Sequence, residues 1–455
     1  MDAIIKEMKQ FHDRKVVKPL LPEDITPEIR KRALGYLMFL KQKRNGSIKG
    51  RGCADGRPQR VYKSKTETSS PTAAIESVFI TVLIDAREGR DVAIVDIPGA
   101  FLQTAASSNT IIKLQGSIVK IMLKINPSWK AFIVHEGKNR TPTIYSKAIK
   151  ALYGTMDAAK LFYDNLCKVL VEDMGFKMNP YDGCVANKTI NKKQYTIVFH
   201  VDDLKISHVD EKVVTDVINR LSEVFGTIMP LFESRGKIYD YLGMTFDYTD
   251  VGKLIITMYD YIEGVINDAG EVYKTGAGSA TPVPEHLFEI REPNEDDNEL
   301  LSKEEKEEYH TITAQCLYLS KRGRPDIQQS IAFHCTRVRH PTKDDQKKLA
   351  RTIKYLMSTK HLPLILTMNK NGVSEWWVDA SFAKHDDMKS RTGAVFSLGK
   401  GALYCASTKQ KIMISSSTEA ELVGVSDMVP KILWCRHFME EQGCIVEDVC
   451  VYQDN

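Results

Sequence analysis

The run Tyr195-Thr-Ile-Val-Phe-His-Val-Asp-Asp-Leu-Lys-Ile-Ser207 sets two adjacent carboxylates, Asp202 and Asp203, between β-branched and aromatic residues. It reads as a strand, a tight turn carrying two acids, and a return strand. Neighbouring carboxylates at a turn repel each other unless a cation lies between them, so the pair suggests a platform for a divalent metal. Taken alone, such a dipeptide is more often a solvated turn. A third acid changes that balance, because Asp96 closes the apolar run Arg90-Asp-Val-Ala-Ile-Val-Asp96. If the two strands are sheet neighbours, the three acids would chelate two divalent ions, an arrangement suited to in-line nucleotidyl transfer. One ion would activate a 3′-hydroxyl and the other would neutralise the departing pyrophosphate. A second set, Asp379, Glu421 and Asp454, repeats the pattern, with two acids at strand ends and one on a helix. That set suits two-metal hydrolysis of a phosphodiester.

The elements that must position these acids follow from periodicity and turn residues. Ser70-Pro71 predicts an N-cap and first helical position, followed by Ile75, Val78, Phe79, Val82, Leu83 and Ala86 at helical spacing, with Gly89 as the stop. The near-continuous apolar run Val92–Val95 predicts a strand buried on both faces. Pro98-Gly99 turns the chain away from it. A helix is expected over about Ser146–Glu172 and another over Val209–Phe225, with strands around Tyr239–Phe246 and Lys253–Met258. Asn45-Gly46 predicts a hairpin turn between strands bearing Lys49 and Arg51, a basic hairpin able to cover a triphosphate. Those two cations read equally as solvated hairpin charges.

From Gly276 to Glu308 the chain is rich in Gly, Pro and acids, which predicts a mobile connector. Helices follow from Tyr309 to Lys360, interrupted at Arg324-Pro325 and His340-Pro341. Strands are expected at Trp376–Asp379, Gly393–Phe396 and Ala402–Ala406, the last two joined through Gly399-Lys-Gly401. A helix opens near Ser417 with capping-box spacing. Trp376 and Trp377 both read as core.

Composition bounds the class. The 455 residues are 43% hydrophobic and 27% charged, an ordinary globular balance with ample core, and the length suggests about three domains. No run of ~18 apolar residues predicts a transmembrane helix, and the N-terminus has no secretory signal. Nine cysteines, none spaced C-x-x-C, argue for free intracellular thiols and against a zinc site. The net charge of +4 is uneven. Residues 1–60 hold fifteen Lys/Arg against seven Asp/Glu, residues 321–354 ten against three, and residues 285–308 eleven acids against three bases. Two basic segments around an acidic one fit a surface that partly faces phosphates, or solvated faces with chance clustering. Arg337, Arg339, Lys347, Lys348, Arg351 and Lys354 are the candidate phosphate track.

Ordered landmarks then carry a resemblance: Gly46-Ser-Ile-Lys-Gly-Arg51, Asp96-Ile-Pro-Gly-Ala-Phe-Leu102, Ala151-Leu-Tyr-Gly154, Phe199-His-Val-Asp-Asp203 and Tyr241-Leu-Gly243. They continue with Leu317-Tyr-Leu319, Arg324-Pro-Asp-Ile327, Val378-Asp-Ala-Ser381, Ser416-Ser-Thr-Glu-Ala-Glu421 and Tyr452-Gln-Asp-Asn455. Over nearly its whole length the chain resembles the reverse transcriptase and ribonuclease H portion of a copia-type LTR-retrotransposon polyprotein. The resemblance implies an α+β fold: palm and fingers over residues 1–258, thumb and connection over 259–370 with the acidic linker 276–308, and a partial ribonuclease H-like domain over 371–455. It implies a DNA polymerase templated by RNA or DNA, with Mg²⁺ or Mn²⁺, two ions per active site. Its partners would be an RNA template, a DNA primer or RNA–DNA hybrid, dNTPs and the other polyprotein products. Its place would be a cytoplasmic virus-like particle with access to the nucleus, and no membrane.

By the same resemblance, Asp96, Asp202 and Asp203 are the polymerase acids, and Asp379, Glu421 and Asp454 three of four ribonuclease H ligands. Phe101 lies under the incoming sugar, Lys49 and Arg51 lie near the triphosphate, and Tyr241, Leu242 and Gly243 hold the primer terminus. Two positions depart from the family. His200 replaces the usual tyrosine, either altering a contact near the primer end or serving only as a core-facing polar residue. Thr155-Met-Asp157 replaces Leu-Lys-Gln, and an acid at Asp157 near template or nucleotide would weaken binding. The expected alternative to a polymerase is a decayed element remnant that only binds nucleic acid. With Asp454 next to last, the half sheet is expected to reach its site barely, leaving negligible ribonuclease H activity.

Overall fold

The strand Asp91–Asp96 lies inside the first sheet, second from its edge. The computed structural model describes all 455 residues except 43–45, 108, 228, 292–298, 370–371, 385–387 and 455. The sheet runs Phe232–Arg235, Asp91–Asp96, Asp203–His208, Lys193–His200, Val185–Ile190 and Lys177–Met178, every neighbouring pair antiparallel. Successive side chains alternate faces. Ala93, Val95, Leu204 and Ile206 pack into one core with the helices Ala158–Lys168 and Glu211–Phe225, while Val92, Val185 and Val198 join the core containing helix Ile75–Glu88. That helix is buried from Glu76 to Ala86, so its breadth of apolar residues reflects protein on every side.

The start of this helix departs from expectation. Its first residue is Ile75, and neither Ser70 nor Pro71 belongs to it. The cap comes from elsewhere: Asp182 accepts hydrogen bonds from the Ala74 backbone N–H at 2.9 Å and the Ser77 hydroxyl at 2.6 Å. A carboxylate at the positive end of the helix dipole does the work of a local N-cap. The stop is at Gly89, whose φ of +61° is left-handed. On the helix's sheet-facing side, Asp85 bonds to Lys205 and lies 3.7 Å from Arg90, all three buried. The sequence reads Lys205 only as part of an apolar return strand.

The helix expected over Ser146–Glu172 is also shorter. Ser146 to Ala148 end the strand Thr141–Ala148, and the helix begins at Ala158. That strand lies between Val17–Pro19 and Ile111–Gln115, followed by Leu34–Gln42 and Ile48–Ala54. The last two pair antiparallel, Lys41 opposite Lys49, as expected of the basic hairpin. Asn45 of its turn is outside the described residues. Arg14 ties this sheet to the first one by donating to the carbonyls of Pro98 and Gly99 at 3.3 and 3.2 Å. Gly99 has φ +62°, and a Cβ there would meet the Arg14 guanidinium at 2.5 Å, so the turn leaving Asp96 needs glycine twice over.

A third sheet crosses the expected boundaries at 258 and 371. It runs Ile238–Tyr241, Met244–Asp247, Lys253–Thr257, Leu364–Met368 and Gly399–Lys400. The Gly399-Lys-Gly401 segment therefore pairs with Leu364–Met368 as well as connecting its flanking strands. One core spans helix Ile75–Glu88, this sheet, the helices Lys303–Ser320, Gln328–Arg337 and Lys343–Ser358, and the C-terminal unit. The expected connector ends early, because Ser302 and Glu305 form a capping box that starts a helix at Lys303. Leu287 within it is buried; residues 292–298 of the acidic linker are outside the described residues. In the C-terminal sheet, Tyr404–Lys409, Arg391–Ser397 and Ser374–Ser381 are antiparallel, and Val449–Tyr452 pairs parallel with Ser374–Ser381. The helix Ser417–Glu441 packs against it. Trp376 is core, stacked on Phe396 at 4.5 Å, but Trp377 is 42% exposed and stacks on Tyr452 at the surface.

Among the described residues no helix is long and apolar enough to cross a membrane. All nine cysteines are free thiols.

Candidate active site

Strand pairing brings the first three acids together. Asp203 opens its strand directly opposite Asp96, and the Ile97 N–H donates to the Asp202 carbonyl at 3.1 Å. Val201, with φ +62°, makes the tight turn that sets Asp202 beside them. Burial raises the Asp96 pKa, and the charge of Asp202 adds to it while Lys49 opposes. Asp203 is pushed up to about 6 by burial first, then by Asp202 and Asp96. Carboxylates that resist ionising for these two reasons form an oxygen donor set suited to a hard divalent cation. Their nearest oxygens do not all meet within 4.8 Å, a convergence that among the described residues only the second acidic set achieves.

A cavity of 450 Å³ opens on Asp96 and Asp202, though not on Asp203, and is also lined by Lys49, Arg51, Tyr153 and Phe232 among others. Both basic hairpin residues therefore face the acids. Arg51 stacks on the Tyr153 ring at 4.6 Å. Phe101 lies behind that ring, 4.8 Å from Tyr153 and 6.3 Å from Phe162, and does not line the cavity. Tyr153, whose pKa burial raises to about 12, is the aromatic wall that the sequence reading left without a role; its signal was its place in Leu152-Tyr-Gly154.

Asp157 is a correction. It is 4% exposed, away from the cavity, and its carboxylate accepts from Lys63 Nζ at 2.5 Å, which also bonds Ser107. Burial works to raise its pKa, but Lys63 and Ser107 outweigh it and the net shift is downward. The charge of the acid is thus met inside the fold by Lys63.

The turn after the acids rests on Tyr241, which is buried with its hydroxyl 3.4 and 3.5 Å from the Val198 and Asp203 carbonyls. Leu242 and Gly243 make the turn of a hairpin with φ +51° and +74°. The Leu242 carbonyl accepts from the Tyr318 hydroxyl at 2.7 Å. A Cβ at Gly243 would come within 2.9 Å of that hydroxyl, a second reason for glycine there. His200 is half-buried; burial lowers its pKa, helped by Arg322 and opposed by Asp202.

The second set converges fully. Ligand oxygens of Asp379, Glu421 and Asp454 all lie within 4.8 Å of one another. The Ala380 N–H donates to Glu421 Oε1, and Gln453 Nε2 donates to Oε2, both at 3.0 Å. Glu419 instead accepts from Ser415 at the helix start. Asp454 follows two residues after the end of the parallel strand Val449–Tyr452 and meets Asp379 and Glu421 there. A cleft of 640 Å³ beside it is lined by Asp379, Asp454, Trp377, Tyr452 and Arg391 among others.

Half of the candidate phosphate track is occupied within the fold. Arg337 pairs with Asp345 at 3.1 Å, buried Lys348 pairs with Asp344 at 2.8 Å, and Arg351 bonds Thr281. Arg339 and Lys347 remain exposed.

Residues 26–284 match the family described as reverse transcriptase (RNA-dependent DNA polymerase). The chain is 24% identical over 312 residues to the retrovirus-related Pol polyprotein from transposon TNT 1-94 of Nicotiana tabacum, covering 68% of this chain and 23% of that protein. It is 24% identical over 425 residues to the Pol polyprotein from transposon RE1 of Arabidopsis thaliana, covering 92% of this chain and 27% of that one. The chain thus spans about a quarter of the length of these two relatives. In fold it is similar to a foamy viral protease-reverse transcriptase solved with double-stranded DNA, at a TM-score of 0.51 and 10% identity, covering 100% of this chain and 69% of that one. From its matched residues and these relatives, the chain belongs to the reverse transcriptase family, in its copia-type retrotransposon branch.

Proposed function

We propose that this chain is a DNA polymerase that copies RNA or DNA templates by extending a primer with dNTPs. The observation that carries the reading is the facing pair Asp96 and Asp203, with Asp202 at the turn, beside a cavity that Asp96 and Asp202 line together with Lys49 and Arg51. In the reaction the primer 3′-oxygen bonds to the α-phosphorus of the dNTP, the bond to the bridging oxygen breaks, and pyrophosphate leaves. Asp96, Asp202 and Asp203 would hold two divalent ions, Mg²⁺ or Mn²⁺, whose chemistry is to activate the 3′-hydroxyl and to neutralise the leaving group. Lys49 and Arg51 meet the triphosphate charge from the fingers side, and stacking on Tyr153 preorganises Arg51 for that contact. Tyr153, backed by Phe101, walls the space for the sugar.

The binding-only alternative drew on Asp157, and burial with Lys63 removes that support. Template-dependent extension of a DNA primer on RNA, with Mg²⁺ and dNTPs, tests the proposal. Tight primer–template binding without any extension would favour the remnant instead. RNA, DNA and dNTPs are the proposed partners, together with other products of the same polyprotein in a cytoplasmic particle.

A second activity is favoured by one observation, the convergence of Asp379, Glu421 and Asp454 within 4.8 Å. Three carboxylates so close suit divalent ions, and their proposed role is hydrolysis of the RNA strand of a hybrid. Mn²⁺ titration calorimetry on Asp202→Asn protein, which removes the first site, should show binding that Asp379→Asn abolishes.

A further inference from the structure

Just beyond helix Lys303–Ser320, three arginine and lysine side chains follow one another with different fates. Lys321 donates to the Cys405 carbonyl at 2.9 Å, and Arg324 forms a forked pair with Asp326. Arg322 between them pairs with no carboxylate among the described residues. Its guanidinium lies 3.5 Å from the centroid of the Tyr318 ring, and its Nη1 donates to the Tyr318 carbonyl at 3.3 Å. Its Nε is buried without a partner, and its Nη2 makes no hydrogen bond among the described residues. A half-buried cation without a counter-ion costs free energy in the fold unless an anion arrives.

The surroundings say where that anion sits. Tyr318, which carries Arg322 on its face, is bonded through its hydroxyl to the Leu242 carbonyl. Its other neighbour is Tyr261, ring to ring at 4.9 Å. Gly323 is fixed in turn, its N–H directed at the Met258 sulfur at 3.2 Å. The position of Arg322 is therefore set by the hairpin turn 242–243 and by the strand end at Met258. The charge of Arg322 also reaches His200, two residues before Asp202. His200 Nδ1 is itself buried without a partner. Neither residue lines the cavity that holds Lys49 and Arg51, so the triphosphate is not the anion in question. On this side of the acidic turn the anion is a nucleic-acid backbone phosphate, and the strand whose 3′-hydroxyl must reach Asp202 is the one whose last phosphates come nearest to it.

We infer that Arg322, held on Tyr318 beside the Leu242–Gly243 turn and His200, binds one backbone phosphate of the primer strand close to its 3′ end. The inference rests on the polymerase reading for the identity of the strand. Arg322 is a positioning residue: by fixing that phosphate it would set the 3′-hydroxyl over Asp202.

A methylphosphonate scan tests it. Primers neutralised at one linkage at a time are bound to wild-type protein and to Arg322→Gln, with EDTA present and no dNTP, and affinity is read by fluorescence anisotropy. Wild type should lose about tenfold at one linkage within a few nucleotides of the 3′ end. Arg322→Gln should bind the natural primer more weakly and be blind to that linkage, with its log-affinity against log-salt slope reduced by about one phosphate. Arg322→Lys, which keeps the charge but not the planar stack, should retain a smaller sensitivity at the same linkage. An Arg322→Gln protein of unchanged Tm that keeps the full wild-type profile overturns the inference. If that variant does not fold, a full wild-type profile in Arg322→Lys overturns it equally, because a planar stacked contact would have been lost. Wild-type protein insensitive at every linkage also overturns it. Failure of the polymerase reading shows separately, as absent extension with Mg²⁺ and dNTPs, and leaves the binding scan readable.

Discussion

Asp203 ionises reluctantly, and that reluctance should be measurable as stability. Its pKa lies at about 6 in the fold against an ordinary 3.8, because burial and the neighbouring Asp202 and Asp96 disfavour its charge. The folded state therefore binds the Asp203 proton more tightly than the unfolded state does. Below pH ~4 both states are protonated and the group costs nothing; between ~4 and ~6 stability falls as pH rises; above ~6 the whole penalty is present. Fully buried, a carboxylate with that difference would cost at most about 3 kcal/mol, and screening by solvent at this partly exposed site reduces it to about 1. Among the described residues the Asp203 side chain has no hydrogen bond to lose, so Asp203→Asn removes the charge cleanly. In EDTA at pH 7 the variant should melt about 1–2 °C above wild type, and the gap should close by pH 4. Millimolar Mg²⁺ should raise the wild-type melting temperature and raise the variant's less, because the ion binds the ionised acids. Scanning fluorimetry across pH 4–7, with and without Mg²⁺, reads both effects. A variant less stable than wild type at pH 7 in EDTA, or a gap that does not change with pH, would refute the reasoning.

Further expectations follow from the cavity and its surroundings. Lys49→Gln and Arg51→Gln should each raise the KM for dNTP about tenfold in extension kinetics, with primer–template affinity little changed; an unchanged KM would return both to solvated charges. Phe101→Ala should raise ribonucleotide incorporation relative to deoxyribonucleotide. An unchanged ratio there beside a raised one in Tyr153→Ala would move the sugar contact to Tyr153. Asp157→Asn leaves the partly buried Lys63 without its counter-charge, with only Ser107 to bond, and should cost about 2 kcal/mol in denaturant unfolding. Its primer–template affinity should be unchanged, and tighter binding instead would mean that the acid does face nucleic acid.

Residues close in sequence were legible, and those joined from afar were not. The acids of the first site announced themselves because each closes an apolar run, and strand pairing then placed Asp96 opposite Asp203. The basic hairpin was readable for the same reason, its two strands being separated only by a turn. Asp157 was misread because its neutralising partner, Lys63, lies 94 residues away. The start of the central helix was misplaced because Asp182, not Ser70, supplies its cap. Period alone could not tell Trp376 from Trp377: adjacent residues on a strand face opposite sides, and only the first side is covered. Lys205 was hidden inside an apolar run because its counter-charge, Asp85, sits on another element. The sheet joining Lys253–Thr257 to Leu364–Met368 spans more than a hundred residues of intervening chain, which no local pattern encodes.

The central claim is that Asp96, Asp202 and Asp203 form the site of nucleotidyl transfer, and single-nucleotide primer extension with Asp202→Asn tests it most directly. The substitution removes one negative charge while keeping the shape of the turn. With Mg²⁺ and saturating dNTP, the extension rate should fall by roughly a hundredfold or more, while the Kd for primer–template, measured on the same preparations, stays within a few-fold of wild type. Extension by the variant within a few-fold of an active wild type would contradict the claim.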